Sequence, residues 1–290
     1  MPAASGIDLH LHTTCSDGRF TPEAAAREAA RQEVHVIAIT DHDSVAGIAA
    51  ARVVGEELGV TVVPGVELSC DLEGEELHLL GYGLDFRSAR FLEALARFQG
   101  AREERNARIL KRLRELGHDL GPEQVAAAAG EGSVARPHIA AALMRAGHVA
   151  SISEAFRRFL GRGRPAFVSR VWPAPVEAIA ALRQAGAIVS LAHPGKLADA
   201  GIVGRLAELG LRGLEVYHID HTPGDIVQFS QLARELGLIE TGGSDSHGPG
   251  TDRPVEIGAV PVPEEVWERL RAELSGRASA DEPAPPRARA

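Results

Sequence analysis

Short apolar runs that stop abruptly in polar, turn-forming residues punctuate the chain. Ile7 to Leu11 reads IDLHL and continues into His12. In an extended strand residues i and i+2 share a face, so His10 and His12 leave the sheet in one direction, with Asp8 beside them and Leu9 and Leu11 opposite. The run gives way to Thr, Ser, Asp and Gly, the composition of a turn, with Asp17 inside it. Pro22 to Glu33 predicts a helix with Thr21 as N-cap and Pro22 at the first helical position. Val34 to Thr40 predicts a buried strand ending in Asp41-His42-Asp43, and Ser44 then caps a helix to about Leu58. Val60 to Val63 is a third strand, continued by Gly65 to Ser69 past Glu67, and Glu76 to Leu84 alternates like a strand and carries His78. Strands and helices joined by short connections predict parallel βα units.

From Ser88 to about Gly163 the pattern is helical throughout, with helices expected over Phe91 to Leu116, from the Arg136-Pro137-His138 stretch, and over Ser153 to Leu160. The βα rhythm then returns. Helices are expected at Pro175 to Gln184, Ile202 to Leu209 and Asp225 to Leu236. Strands are expected at Ala187 to Ala192, Leu211 to Tyr217 and Leu238 to Gly242. The expected organisation is a distorted α/β barrel over 1–84 and 165–278, a helical insertion over 85–164 that caps the substrate, and a disordered Ala/Pro/Arg-rich tail over 279–290.

Composition sharpens this picture in three places. The net charge of −9 is unevenly spread: Leu84 to Arg170 holds 16 Lys/Arg against 9 Asp/Glu, while the remainder holds 15 against 31. A basic segment over an acidic body suits a polyanionic substrate, and solvated helix faces explain the same counts. Two cysteines, Cys15 and Cys70, are too few for a disulfide framework, and they read as thiols of a cytoplasmic protein, with thiolate coordination as the alternative. No run approaches the roughly 20 apolar residues that span a bilayer, so no membrane is expected as a partner. With 4% aromatic residues offering no row of stacking platforms, no stable nucleic-acid complex is expected.

The chemistry lies in where the metal-binding residue types fall. His10 and His12, Asp41 and His42, Glu67, His193, His218, and Asp245 with His247 all sit where a predicted strand gives way to a loop. In βα barrels those strand ends share one face, on which active sites are built. Mixed imidazole and carboxylate donors suit Mn²⁺, Zn²⁺ or Fe²⁺. Asp41 reads either as the partner of a ligating histidine or as a buried turn acid. Ser16, Ser244 and Ser246 read as turn formers, and His35, His118, His148 and His221 match no motif. Tyr217 reads as a base-stacking or a core residue.

HLHTTCSDG, ITDHD, PGVELS, LHLLGY, AHPG and GGSDSH, in this order, resemble the polymerase and histidinol phosphatase (PHP) family of metal-dependent phosphoesterases. SVARPHIA with GLEVYH is similar to the branch holding 3′,5′-nucleoside bisphosphate phosphatases and 5′-to-3′ exoribonucleases of short RNA. The resemblance implies two or three divalent metals, Mn²⁺ foremost. His10, His12, Glu67 and Asp245 would form one site, with Glu67 bridging to a second completed by His78 and His193. Asp17, His42 and His247 would form a third. These nine would carry catalysis by metal-activated water, with no serine or cysteine nucleophile. Arg136 and His138 would grip a second phosphate, while Lys196 and His218 are candidates for phosphate contact or leaving-group protonation. The implied activity is hydrolysis of the 3′-phosphate of a small bisphosphorylated nucleoside. Exoribonuclease, histidinol phosphatase and a non-catalytic metal-binding barrel are the alternatives. A βα-barrel amidohydrolase with a bridging lysine is disfavoured, because the only lysines, Lys111 and Lys196, are not at strand ends.

Overall fold

The computed structural model describes residues 6–72, 75–129, 134, 136–168, 173–199, 201–251 and 254–280. Seven strands form one sheet in chain order: β1 (Ile7–Leu11), β2 (Val36–Ile39), β3 (Thr61–Leu72), β4 (Glu75–Tyr82), β5 (Ile188–Leu191), β6 (Gly213–His218) and β7 (Ile239–Gly243). A parallel bridge from Leu11 to Ser246, with the His12 N–H on the Ser246 carbonyl at 3.0 Å, brings the last strand's exit back to the first. The sheet is therefore a nearly closed, distorted barrel. Outside it lie α1 (Pro22–Arg31), α2 (Ile48–Leu58), α7 (Pro175–Gln184), α8 (Ile202–Leu209) and α9 (Pro223–Leu236). Between β4 and α7 come α3 (Ala89–Glu115), α4 (Pro122–Ala129), α5 (Arg136–Arg145), α6 (Ile152–Ala155) and a π-turn at Phe156–Leu160.

Several expectations are corrected. Parallel pairing fails at β4, which runs antiparallel to both β3 and β5. Only two residues separate β3 from β4, and a parallel crossover needs a dozen or more. β3 is a single twelve-residue strand through Pro64-Gly65, so Glu67 lies within a strand, as does His78 in β4. Ser44 does not cap α2. That helix begins at Ile48 with Gly47 at the N-cap, and the Ser44 hydroxyl instead accepts the Ala46 N–H in the preceding turn. The tail expected from 279 meets α10 (Glu264–Ala280), an element not foreseen, and 281–290 lie outside the described residues, as do Gly132, Ser133 and Ala135 of the motif before α5.

Two register irregularities aim side chains at the site. On β1 the pairing steps from Asp8↔Ile37 to Leu11↔Ile39, one extra residue on β1. Ile7 and Leu9 consequently join Val36, Ala38 and Tyr82 in a core within the barrel, whereas Leu11 joins Ile37 and Ile39 under the outer helices. Simple alternation had put Leu9 and Leu11 on one face; the bulge divides them and frees Asp8 from the histidine face. On β6 a second irregularity lies between Glu215 and Tyr217. The inner core is closed from below by Val260, Val262, Val266, Trp267 and Leu270.

A separate apolar cluster forms over the helical segment, around Ile109, Leu113, Ile139, Leu143 and Leu160. The 27-residue α3 serves both bodies: Phe91, Leu95 and Phe98 pack on the barrel, and Ile109 and Leu113 on the helical cluster. Among the described residues no helix is long and apolar enough to cross a membrane.

Asp8 fastens the closure between the two sheet edges. It is 1% exposed and accepts the N–H groups of Ser244 and Gly258, both at 2.8 Å. Burial raises its pKa against the pull of those hydrogen bonds. Gly243 is glycine because a Cβ there would meet the His10 nitrogen at 2.4 Å. Asp8→Ala removes the carboxylate acceptor of three buried N–H groups, those of Ser244, Gly258 and, at 3.4 Å, His10. It is expected to lower unfolding stability by about 2–4 kcal/mol, read from urea denaturation.

Candidate metal centre

Glu67 is the hub of the site. It is 1% exposed, and five imidazoles surround it. His10 Nε2, His12 Nε2 and His42 Nδ1 lie 3.3, 3.2 and 3.1 Å from Oε2. His78 Nδ1 and His193 Nε2 lie 2.8 and 3.2 Å from Oε1. The two carboxylate oxygens thus divide the histidines into two groups.

On the Oε2 side, Asp245 Oδ1 lies 3.5 Å from His10 Nε2 and 3.1 Å from His12 Nε2. Donor bonds of about 2.0–2.2 Å to a four-coordinate ion put neighbouring donors roughly 3.3–3.6 Å apart. The four measured separations among His10, His12, Glu67 and Asp245, 3.1 to 3.5 Å, fit that spacing. Beyond His12, Asp17 Oδ1 is 3.3 Å from His247 Nε2 and 3.9 Å from His12 Nδ1. His12, Asp17, His42 and His247 form one set of donors close enough to share an ion, and His42, Glu67 and His78 another. All nine sequence-predicted ligands therefore lie in one connected cluster, and His42 and His12 each touch two groups. Cys15 and Cys70 belong to none of these sets among the described residues.

The cluster fits cations on a further count. Buried polar atoms without a hydrogen-bond partner include His10 Nε2, both ring nitrogens of His12, Asp17 Oδ1, His42 Nδ1, Glu67 Oε2 and His193 Nδ1. Native interiors leave few such atoms, and their concentration here marks donors aimed at shared points. Burial opposes protonation of His10, but Glu215, Asp245 and Glu67 outweigh it and hold its pKa well above the ordinary value. In the same way the acids lift His12 to about 10 and His78 to about 9. Burial pulls His193 down to about 4 and His42 well below its usual value, leaving both neutral with lone pairs available. Against burial, the surrounding histidines hold Glu67, Asp17 and Asp245 well below the carboxylate range. The cluster demands positive charge, which protons or metal ions can supply.

The surroundings hold these donors in place. Glu215, fully buried, puts Oε1 2.8 Å from His10 Nδ1 and accepts the His193 backbone N–H on Oε2 at 2.6 Å. One carboxylate thereby orients two donors; burial pushes its pKa up, but His10 first, then His218 and His193, bring it down to about 2. Sequence reasoning missed Glu215 because it sits inside β6; its alternation against Leu214 and Val216 was the available signal. His193 and Asp245 both occupy left-handed backbone, φ 29° and 54°. Such positions cluster at functional sites. Asp41 proves to be the turn acid: it accepts the Thr13 N–H and hydroxyl, both at 2.7 Å, and the Ser16 hydroxyl at 2.6 Å.

Of the substrate candidates, Lys196 Nζ and His218 Nε2 each lie 3.3 Å from Asp245 Oδ2. Arg136 Nη2 donates to Glu76 Oε2 at 2.7 Å, and Glu76 Oε1 lies 3.2 Å from His78 Nε2. His138 is buried two positions along the same helix, a spacing that turns it to another direction. His221 accepts the Gly195 N–H at 3.3 Å and donates to the Val216 carbonyl, fixing the turn after His193. Tyr217 donates to Glu240, away from the cluster, so it stacks on no ligand there. His118 and His148 pair within the helical segment, and His35 is half-exposed beside Glu264.

A barrel mouth holding a buried histidine–carboxylate cluster defines a metal-dependent hydrolase, and comparison with known proteins narrows the class. A PHP domain profile matches residues 8–158. The chain is 32% identical over 274 residues to a 5′-3′ exoribonuclease of Haemophilus influenzae, covering 91% of this chain and 98% of that protein. It is 31% identical over 289 residues to a 3′,5′-nucleoside bisphosphate phosphatase of Chromobacterium violaceum, covering 93% and 98%. It is 36% identical over 247 residues to a phosphoribosyl 1,2-cyclic phosphate 1,2-diphosphodiesterase of Eggerthella lenta, covering 83% and 94%. A crystal structure described as a metal-dependent phosphoesterase of Bifidobacterium adolescentis superposes with a TM-score of 0.83 at 30% identity, covering 94% and 98%. The chain belongs to the PHP domain family and is a metal-dependent phosphoesterase.

Glu215→Gln keeps an oxygen for the His193 N–H but removes the negative charge facing His10. Outer partners of metal-binding histidines typically contribute 10–100-fold to affinity. Calorimetric titration with Mn²⁺ is expected to show weakening of about that size.

Proposed function

We propose that the chain is a phosphomonoesterase that removes the 3′-phosphate of nucleoside 3′,5′-bisphosphates. The observation that carries this reading is the proximity of Arg136 to the cluster, one side chain away through Glu76 and His78. A reacting phosphate at the cluster and a second anion held by Arg136 match a small substrate with two phosphates. His10, His12, Glu67 and Asp245 would hold one ion, Glu67 with His78 and His193 a second, and Asp17, His42 and His247 a third, with Mn²⁺ the favoured metal. Divalent ions bound there supply Lewis-acid activation of water and neutralise charge on the phosphoryl oxygens.

The chain's own residues bind and orient. Arg136 offers a planar fork to the remote phosphate. Lys196 Nζ, half-exposed between Asp245 and Asp220 at 3.3 and 3.6 Å, faces the transferred group. His218 Nδ1 accepts the Asp220 N–H at 3.1 Å, which assigns the ring proton to Nε2, on the Asp245 side. From there it can donate a hydrogen bond to the 3′-oxygen as the P–O bond breaks and water's oxygen joins phosphorus, the leaving oxygen taking its proton from solvent. The second reading, stepwise release of mononucleotides from 5′-phosphorylated RNA, is supported by the similarity to the Haemophilus exoribonuclease and uses the same residues.

The test, with Mn²⁺, is phosphate release from adenosine 3′,5′-bisphosphate, AMP and histidinol phosphate beside mononucleotide release from a 5′-phosphorylated RNA trimer. Fast release from the bisphosphate is expected; preference for the trimer replaces this reading with the second. His10→Ala and Asp245→Ala are each expected to abolish turnover with loss of bound metal by elemental analysis. A fully loaded, active His10→Ala protein refutes the ligand assignment. Arg136→Ala is expected to raise KM for the bisphosphate about tenfold or more, a loss near 1.4 kcal/mol or above in steady-state kinetics.

A further inference from the structure

Glu76 lies on β4 two residues before His78, so both side chains project from the same face of the strand. Its two oxygens have different partners. Oε2 accepts from Arg136 Nη2 at 2.7 Å, and Oε1 lies 3.2 Å from His78 Nε2. The other nitrogen of the same ring, Nδ1, is 2.8 Å from Glu67 Oε1. An unbroken line of polar contacts thus runs from the first residue of α5, through Glu76 and His78, to the hub carboxylate. All three side chains are partly sheltered, with Glu76 31%, Arg136 19% and His78 16% exposed. Charge-assisted bonds in such a setting are less screened than surface pairs.

Resting on the reading of Arg136 as the grip on the remote phosphate, we infer that Glu76 is a positioning residue that aligns Arg136 for the second phosphate and orients the His78 ring toward the metal cluster. The arginine has five N–H donors in a rigid fork. Engaging Nη2 with Glu76 fixes the plane of the guanidinium and leaves the remaining donors for the anion. The Phe156 ring, 5.9 Å from the guanidinium carbon, flanks the same group. On the other side, a carboxylate on His78 Nε2 fixes which nitrogen carries the proton and leaves Nδ1 as the donor atom. Among the described residues Glu76 belongs to none of the donor sets close enough to share an ion; it acts through Arg136 and His78.

Two consequences distinguish this role from a general structural one. Glu76→Ala should raise KM for adenosine 3′,5′-bisphosphate at least tenfold more than KM for 3′-AMP, which has no second phosphate. That excess should vanish when Arg136 is already alanine, because the two residues form one unit. Independently of turnover, calorimetry should show Mn²⁺ bound about tenfold more weakly by Glu76→Ala, whether or not Arg136 is present. Glu76→Gln, which preserves volume, should shift both quantities in the same direction by less. Equal KM increases for the two substrates, or the same increase in the Arg136→Ala background, would overturn the positioning role while leaving the arginine's own role intact. If Arg136→Ala alone leaves KM for the bisphosphate unchanged, the reading of the arginine fails first, and the Glu76 inference falls with it.

Discussion

The structure turns on one buried carboxylate. Glu67 is excluded from water and faced by five imidazoles, a concentration of polar groups that a protein interior tolerates only when their charges and lone pairs are satisfied. Hydrogen bonds among these groups do not suffice: several donor atoms converge on shared points without bonding one another. The arrangement is consistent as a container for cations and costly as anything else. That constraint explains why so many strands end, or bend, at the same place.

Bringing nine donors together requires departures from regular sheet geometry. The extra residue in β1 turns His10 and His12 inward while Ile7 and Leu9 still fill the barrel below. The irregularity in β6 separates Glu215, which faces His10, from His218, which faces Asp245. His193 and Asp245 adopt left-handed backbone just past β5 and β7. Each device is held by a buried partner: Glu215 receives the His193 N–H, and Asp8 receives the Ser244 N–H immediately before Asp245. Local strain and local hydrogen bonding are matched pairwise around the rim.

Much of this was legible beforehand, for a physical reason. A candidate ligand at a strand end is announced by an apolar run stopping in histidine or an acid, and His10, His12, His42, His193, Asp245 and His247 follow that rule. Glu67 was misplaced at a strand end, and the strand that carries His78 was given the wrong direction, because alternation has the same period in parallel and antiparallel strands. The two-residue gap between β3 and β4 carried the correction. The bulge in β1 left no mark, since one inserted residue changes register without changing composition. Glu215 was hidden for the opposite reason. An acid inside a strand reads as a solvent-facing position until the partner strand is known. α10 was missed because its contribution is a few residues, Val266, Trp267 and Leu270, plugging the barrel floor rather than a sustained amphipathic stripe.

The charge asymmetry resolves differently from what residue counts suggest. Arg108, Arg114 and Arg158 of the helical segment pair with Glu104, Asp119 and Glu154 on exposed faces, where each pair contributes little. Arg105 and Arg112 donate to the backbone carbonyls of Val168 and Phe167, tying α3 to the returning chain. Arg136 instead ion-pairs with Glu76 at the edge of the cluster. Of the sixteen basic residues in this segment, three thus sit in exposed pairs, two tie the backbone together and one reaches the edge of the cluster. On the proposed reading, a doubly charged substrate is met by one guanidinium with a fixed orientation. The helical segment delivers that group from a scaffold with its own apolar core, joined to the barrel by a helix whose two halves belong to the two bodies. A phosphate grip of the proposed kind would depend on the angle at which α5 meets the barrel, which packing along α3 fixes.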